Sequence, residues 1–342
     1  MKIKNLRLLN FRNHRNFETD FTQTNIIFGP NAAGKTNLLE AIYLLSTARA
    51  LKAKLNQDLI SFGESFSKIK GIIEREEERL SLEVLLKADN GFKKEVRINN
   101  KSRRLVALFG FFLTVLFTPE SLELVLGPPS ARRRILDLIL FSVSKKYTTT
   151  LIEFLKILKQ RNRLLSKIKE GKASISLLGL WDEGFVKAGL ILREMRMQAL
   201  SELNNFLPKN LRLHYLPSPA QDFVKGLEEV KEKEIEVGFS LVGPQKDNFI
   251  FEWNKRPLAL FGSRGEVREG VILFKLAEWE FLKQRTGFSP VLLLDDVFSE
   301  LDKKRREMLS GIFEKGQTIL TTTSLSYLSP ELIKRAKVIE LK

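Results

Sequence analysis

The sequence predicts an α/β fold whose two halves are separated along the chain by a mostly helical insertion. Three observations predict it. Strand-like and helix-like hydrophobic patterns alternate at both ends of the 342-residue chain. Between them, Ser130 to Phe206 contains no proline and repeats its apolar residues at helical spacing. A glycine-rich phosphate-loop pattern begins at Gly29, whereas the apolar strand with carboxylates that would complete it ends about 260 residues later, at Asp295.

The elements follow in order. Lys2-Ile3-Lys4 through Leu6, Leu8 and Phe11 alternates apolar with polar residues, as a half-buried strand does. Asn25–Phe28 is a short apolar strand running into glycine, and from Thr36 the residues Leu38, Leu39, Ile42, Leu45 and Ala48 line one helical face. Ile69–Ile73, Leu80–Leu86 and Glu95–Ile98 read as an antiparallel sheet, with turns at Arg75–Arg79 and Ala88–Gly91. The apolar run Leu105–Phe117 reads as buried strand or core. About three long helices follow, broken near Lys145 and near Gly171–Ser176; their Leu/Ile stripes suit a coiled-coil seam or a small bundle equally. Pro208, Pro217 and Pro219 close the region. Then come strands Ile235–Val242 and Asn248–Trp253, a helix Gly265–Arg285 and strand Val291–Leu294. Helix Lys303–Phe313 and strands Thr318–Thr322 and Val338–Leu341 end the chain. The expected division is 1–118, 119–234 and 235–342, the first and last forming one domain around the insertion.

Composition narrows the chemistry. With 57 Lys plus Arg against 41 Asp plus Glu, the formal net charge is +16, which points to a polyanion such as nucleic acid or an acidic membrane surface. The absence of cysteine excludes a disulfide framework, a thiolate zinc site, a catalytic thiol and an iron–sulfur cluster. The basic segment Met1–Phe17 lacks the apolar stretch of a signal peptide, and Leu105–Phe117 is shorter than the ~20 residues a membrane helix needs. No membrane partner and a cytoplasmic location are therefore expected.

Gly29-Pro30-Asn31-Ala32-Ala33-Gly34-Lys35-Thr36 matches G-x-x-x-x-G-K-[ST]. Glycines let the backbone curl so that successive N–H groups face a phosphate, and the following helix adds its positive end. Lys35 would bridge β- and γ-phosphates and Thr36 would ligate Mg²⁺, so ATP and Mg²⁺ are the expected cofactors. A chance match is disfavoured because this one sits between a strand pattern and a helix pattern. Pro290–Leu294 is an apolar strand ending in Asp295 and Asp296. Taken alone it could be any buried strand meeting a polar turn; beside a phosphate loop, Asp295 becomes the second Mg²⁺ ligand and Asp296 the group that positions or deprotonates water. Ser263, ahead of Arg264-Gly265-Glu266-Val267-Arg268, reads as a helix N-cap. Its alternative role is to face a γ-phosphate held by another subunit.

Together these pieces resemble the ABC-type ATPase heads of the SMC-like kind and, more closely, the RecF family of bacterial DNA replication and repair ATPases. The resemblance spans the chain. It rests on Leu9-Asn10-Phe11-Arg12-Asn13, Gly34 to Tyr43, Pro119 to Val125, Arg132 to Asp137 and Gln160 to Leu165. Val242-Gly243-Pro244, Lys275-Leu276-Ala277-Glu278 and Leu294 to Asp302 complete it. It implies an ABC-type head that dimerises with ATP, binds duplex DNA near single-strand gaps and helps load RecA with RecO and RecR, hydrolysis serving as a release switch in a weak DNA-dependent ATPase. It also implies Arg12 as a nucleotide contact, Ser263 acting in trans, and Ser299-Glu300-Leu301-Asp302 at the dimer interface. Two departures stand out: the signature reads Ser-Arg-Gly-Glu-Val-Arg where the family is usually glutamine-rich, and Gln245 replaces a common histidine. Glu266 would repel a γ-phosphate unless Arg264 or Arg268 compensates. No histidine follows Thr321-Thr322-Thr323, where transporter ATPases carry one; Thr323 or Ser324 is the expected substitute.

The positive charge is clustered. Residues 127–170 carry a net +8 and residues 1–16 a net +5. Arg132, Arg133, Arg134, Lys145, Lys146, Lys156, Lys159, Arg161, Arg163, Lys167 and Lys169 are the expected phosphate-backbone track. Without interleaved aromatics, they suit duplex backbone better than stacked single-strand bases. The main alternative, an ABC-transporter ATPase subunit, is opposed by the signature, the missing histidine and the basic insertion. A structural SMC clamp would need far longer arms. Vestigial hydrolysis is opposed by intact Lys35, Thr36, Asp295 and Asp296.

Overall fold

The computed structural model describes residues 1–51, 56–89, 91–300, 306, 313 and 315–342, arranged in two compact units. The first comprises Met1–Ser121 and Glu278–Lys342, the second Leu122–Ala277.

In the first unit, β1 (Lys2–Phe11), β2 (His14–Asp20), β4 (Phe66–Arg75), β5 (Glu78–Lys87), β6 (Lys93–Ile98) and β7 (Lys101–Arg103) form an antiparallel sheet in the order β2-β1-β4-β5-β6-β7. Strict alternation makes it one-sided: in β4, Ser67, Ile69, Gly71 and Ile73 are buried while Lys68, Lys70 and Ile72 are partly open. The second sheet is parallel: β3 (Thr24–Phe28), β8 (Thr114–Phe117), β12 (Val291–Leu294), β13 (Thr318–Thr322) and β14 (Lys337–Glu340) run β14-β3-β13-β12-β8. Its inner strands are buried along their length, Val291–Leu294 with apolar residues alone and Thr318–Thr322 with three threonines among them, while the edge strand Lys337–Glu340 is partly open. Leu38, Leu39, Ile42 and Leu45 of the helix Lys35–Thr47 join Ile69 and Val84 of one sheet and Leu293 and Ile319 of the other in a single core.

The parallel register decides where chemistry can occur. Leu294 lies beside Leu320, and Thr322 beside Phe28. The segments leaving β3, β12 and β13 therefore emerge together at the carboxyl edge, where such sheets bind ligands.

The second unit holds helices Pro129–Val143, Lys145–Lys169 and Gly179–Asn205. Pro129 opens the first, while Ser144 caps the second by accepting from the Tyr147 N–H at 3.1 Å. The breaks fall where the sequence places them. The two long helices pack as a pair, which suits a coiled-coil seam and a small bundle alike.

Two expectations are corrected. The segment 231–242 contributes a helix, Lys231–Val237, ended by Gly238 at φ 87, rather than a strand from Ile235. Ile235 and Val237 are its apolar pair, too few to separate period 2 from period 3.6. Residues 235–277 also group with the insertion instead of the head. Here β10 (Asn248–Trp253) pairs antiparallel with β9 (Leu211–Leu216) and with β11 (Arg256–Pro257). The helix Arg264–Thr286 contains the boundary at Ala277/Glu278. The expected helix 303–313 lies outside the described residues except at 306 and 313, as do Leu301 and Asp302 and the side chains of Ser299 and Glu300. No described helix is long and apolar enough to cross a membrane.

Candidate nucleotide-binding site

The loop Gly29–Thr36 leaves β3 and turns into the helix Lys35–Thr47. Pro30, Asn31 and Ala32 are exposed on its crest and Gly34 and Lys35 are buried at its base, with Ala33 between. Ala32 adopts φ 65 and Gly34 φ 95. Gly34 is required twice over, because a Cβ there would also stand 2.5 Å from the Asn13 amide. Lys35 is 8% exposed, and its ammonium donates to the carbonyls of Gly29 and Pro30 at 2.8 and 2.7 Å. It is thus held over the loop's own concavity.

Residues 259 positions apart meet at this edge: the Thr36 hydroxyl lies 2.8 Å from Asp295 Oδ1 and 3.0 Å from Oδ2. The Thr321 hydroxyl donates to Asp295 Oδ1 at 2.9 Å and accepts from the Asp296 N–H at 2.9 Å. Asp296 takes φ 49, so the chain turns sharply after Asp295. Thr36 and Asp295 form a hard-oxygen pair of the kind Mg²⁺ takes. Among the described residues no group of three His, Cys, Asp or Glu is placed to hold a metal ion. Thr321 is a polar partner of Asp295 that the sequence does not single out. Ser324 instead donates its N–H to Thr322 Oγ1 and places its hydroxyl against Ser326. The sequence signal for Thr321 is its place at the end of β13, the strand beside β12.

Arg12 stands at the β1–β2 turn with φ 54, but its guanidinium faces protein groups. Nε and Nη2 each donate to Glu40 Oε2 at 2.9 Å and Nη1 donates to the Asp58 carbonyl at 2.9 Å. Glu40 is 1% exposed and also accepts from the Leu51 N–H at 2.8 Å. This buried carboxylate on the helix following the phosphate loop is not foreseen in the sequence.

In the second unit, Ser263 caps the helix Arg264–Thr286 through a reciprocal box. The Glu266 N–H donates to Ser263 Oγ at 3.2 Å, and the Ser263 N–H donates to Glu266 Oε2 at 2.8 Å. That backbone donation, and then the hydroxyl, holds the Glu266 carboxyl below its ordinary range. Glu266 is turned back onto its own cap and remains a charged carboxylate there.

The basic track divides. Arg161 is 0% exposed, pairs with Asp182 at 2.7 Å and Glu234 at 2.7 Å, and donates to Ser240 Oγ at 2.7 Å. Arg132 is buried too; it donates to Asn248 at 2.8 Å and to the Gly127 carbonyl at 2.9 Å. Arg133 donates to the Asp247 carbonyl at 2.7 Å. Arg132 and Arg161 are spent on internal partners and present no charge to a surface, which corrects their assignment to DNA; Arg133 is engaged but half-exposed. Arg134, Lys145, Lys146 and Arg163 are exposed.

Known proteins share this arrangement. The family model described as the RecF/RecN/SMC N-terminal domain matches residues 2–332. DNA replication and repair protein RecF of Herpetosiphon aurantiacus is 35% identical over 98% of this chain and 96% of its own length. The chain belongs to the RecF family. RecF of Lacticaseibacillus casei is 35% identical over 100% of this chain and 98% of its own. A solved structure of the recombination mediator protein RecF–ATPrS in the RecFOR pathway superposes with a TM-score of 0.89 at 32% identity, covering 96% of this chain and 94% of that one. The RecF–ATP structure gives 0.87 at 32% identity, with coverage of 96% and 93%. An Smc head from Pyrococcus furiosus, at 14% identity and TM-score 0.51 over 99% and 94%, shares the fold alone. The architecture is thus the ABC/SMC-like ATPase head of the RecF family, and these comparisons do not favour a transporter subunit.

Proposed function

We propose that this protein is a RecF-type ATPase that binds ATP with Mg²⁺, dimerises through its head, and binds duplex DNA near single-strand gaps in cooperation with RecO and RecR to help load RecA. The observation that carries the nucleotide reading is the meeting of Thr36 with Asp295 beside the loop that holds Lys35. Both RecF solved structures with nucleotide in their names support it.

In this reading the loop's backbone N–H groups bind the phosphates and Lys35 swings from its carbonyl partners to the β- and γ-phosphates. Thr36 and Asp295 would hold Mg²⁺, which supplies charge neutralisation at the phosphates, and Thr321 keeps the Asp295 carboxylate aimed. Asp296 accepts the proton of the attacking water. Ser263 of a second copy contacts the γ-phosphate, its hydroxyl turning from the Glu266 carboxylate to which it donates within its own cap. The segment Ser299–Asp302 is assigned to that dimer interface by the same resemblance.

The DNA reading rests on one helix. Lys145, Lys156, Lys159, Arg163 and Lys167 are all exposed on Lys145–Lys169. At about 100° per residue they share one stripe, about 33 Å long, close to a turn of B-form DNA. The test is ATP turnover with and without duplex DNA: stimulation by duplex is expected, and loss of ATP binding in Lys35→Ala. Turnover that survives Lys35→Ala would overturn the site.

A further inference from the structure

The turn joining β1 to β2 touches the phosphate loop from the side opposite its crest. His14 is 8% exposed, and its Nε2 lies 3.1 Å from the Gly34 carbonyl oxygen. A carbonyl only accepts, so Nε2 carries the proton and donates. Next to it, Asn13 Oδ1 accepts from Asn37 Nδ2 at 2.8 Å, tying the same turn to the first turn of the helix. A Cβ on Gly34 would come within 2.6 Å of His14 Nε2, so imidazole and loop are in direct contact.

The Gly34 carbonyl occupies a decisive position. It also accepts from the Leu38 N–H at 3.1 Å, using both lone pairs. It shares one planar peptide unit with the Lys35 N–H, and in a trans peptide the two point in opposite directions. Holding the carbonyl toward His14 and Leu38 therefore aims the Lys35 N–H away from them, toward the loop's concavity. Gly34, at φ 95, has the conformational freedom to let that peptide flip. Burial holds the His14 pKa below its ordinary value, so the donor is a neutral imidazole.

We propose that His14 is a positioning residue for nucleotide binding: its Nε2–H fixes the Gly34–Lys35 peptide in the orientation that presents the Lys35 N–H to phosphate. The inference rests on the reading of this loop as an ATP site and assigns His14 no contact with nucleotide.

The test is a set of three variants measured for Mg·ATP affinity by titration calorimetry, with melting temperature in the absence of nucleotide read in parallel. His14→Gln places an amide N–H at nearly the reach of Nε2, His14→Asn is polar but too short, and His14→Phe keeps the ring without the donor. One lost hydrogen bond is worth about a factor of ten in affinity. His14→Gln is expected within about threefold of wild type, with His14→Asn and His14→Phe weakened about tenfold. Wild-type affinity in all three, or His14→Gln as weak as His14→Phe, would overturn the role of the donor; should one of the short or apolar variants not fold, the other carries the comparison. Absence of ATP binding by the wild-type protein would instead overturn the site itself.

Discussion

Asp295 and Asp296 are adjacent in sequence yet occupy different chemical situations. Asp295 is buried and accepts from two threonine hydroxyls, Thr36 at 2.8 Å and Thr321 at 2.9 Å, so its carboxylate is held in one orientation. Asp296 leaves the strand at φ 49 with its backbone N–H held by Thr321. One threonine thus orients both carboxyl residues. Asp296→Asn is expected to retain ATP affinity while turnover falls about 100-fold or more, the usual range for losing a general base. Single-turnover hydrolysis beside equilibrium ATP binding checks this, and unchanged turnover would place the base elsewhere. The carboxylates were legible in the sequence because a strand that is apolar throughout can end in charge only at an edge. Thr321 was not, because hydroxyls at a strand end look alike until the pairing of β13 with β12 selects one. Glu40 was hidden for a related reason: within an apolar helix face a lone carboxylate has no visible partner until β1 brings Arg12 to it.

The helix Lys145–Lys169 shows why charge counts do not locate a surface. Its buried line runs through Leu151, Phe154, Arg161, Leu165 and Ile168, so Arg161 belongs to the apolar face although it sits two residues from exposed Arg163. The heptad-like apolar repeat was legible, and so were the helix and its ends. The exchange of a charged residue into that repeat was not, because its partners Asp182 and Glu234 come from two other helices. Arg161→Met should cost about 3–5 kcal/mol in unfolding free energy, since Glu234 would be left as a buried, unpaired charge. The quadruple substitution of Lys156, Lys159, Arg163 and Lys167 by Ala should move stability far less, surface changes each staying within about 0.5 kcal/mol. Its effect belongs to DNA: the slope of log affinity against log salt should shrink by up to about 0.9 for each phosphate that is no longer neutralised. Denaturant unfolding and duplex titrations at several salt concentrations separate the two. An unaltered salt slope would remove the stripe from the DNA interface.

At the scale of the molecule, the net charge of +16 resolves into two populations. Near the N-terminus Lys4 pairs with Glu74 at 3.0 Å, Arg7 with Glu18 at 3.9 Å and Arg12 with Glu40, so much of that segment's excess is met locally. The exposed residues of Lys145–Lys169 are not spent in the same way, and a row of lysines on one helix repels itself unless an anion lies along it. In the proposed reading a nucleotide contributes a second anion at the phosphate loop, and Ser263, its N–H and hydroxyl both engaged by Glu266, stands in place of the usual glutamine-rich segment. Because Glu266 already occupies the Ser263 N–H, the contact across a dimer would rest on fewer donors than in a glutamine-rich signature. ATP is therefore expected to give a weak dimer that duplex DNA strengthens, since one duplex binding two copies raises their effective concentration. Sedimentation velocity tests this directly: a monomer without nucleotide, partial dimer with ATP, and a larger dimer fraction with ATP and duplex together, all reverting to monomer in Lys35→Ala. A dimer fraction indifferent to ATP would separate assembly from the nucleotide site, and one indifferent to duplex would leave the basic helix without a part in assembly.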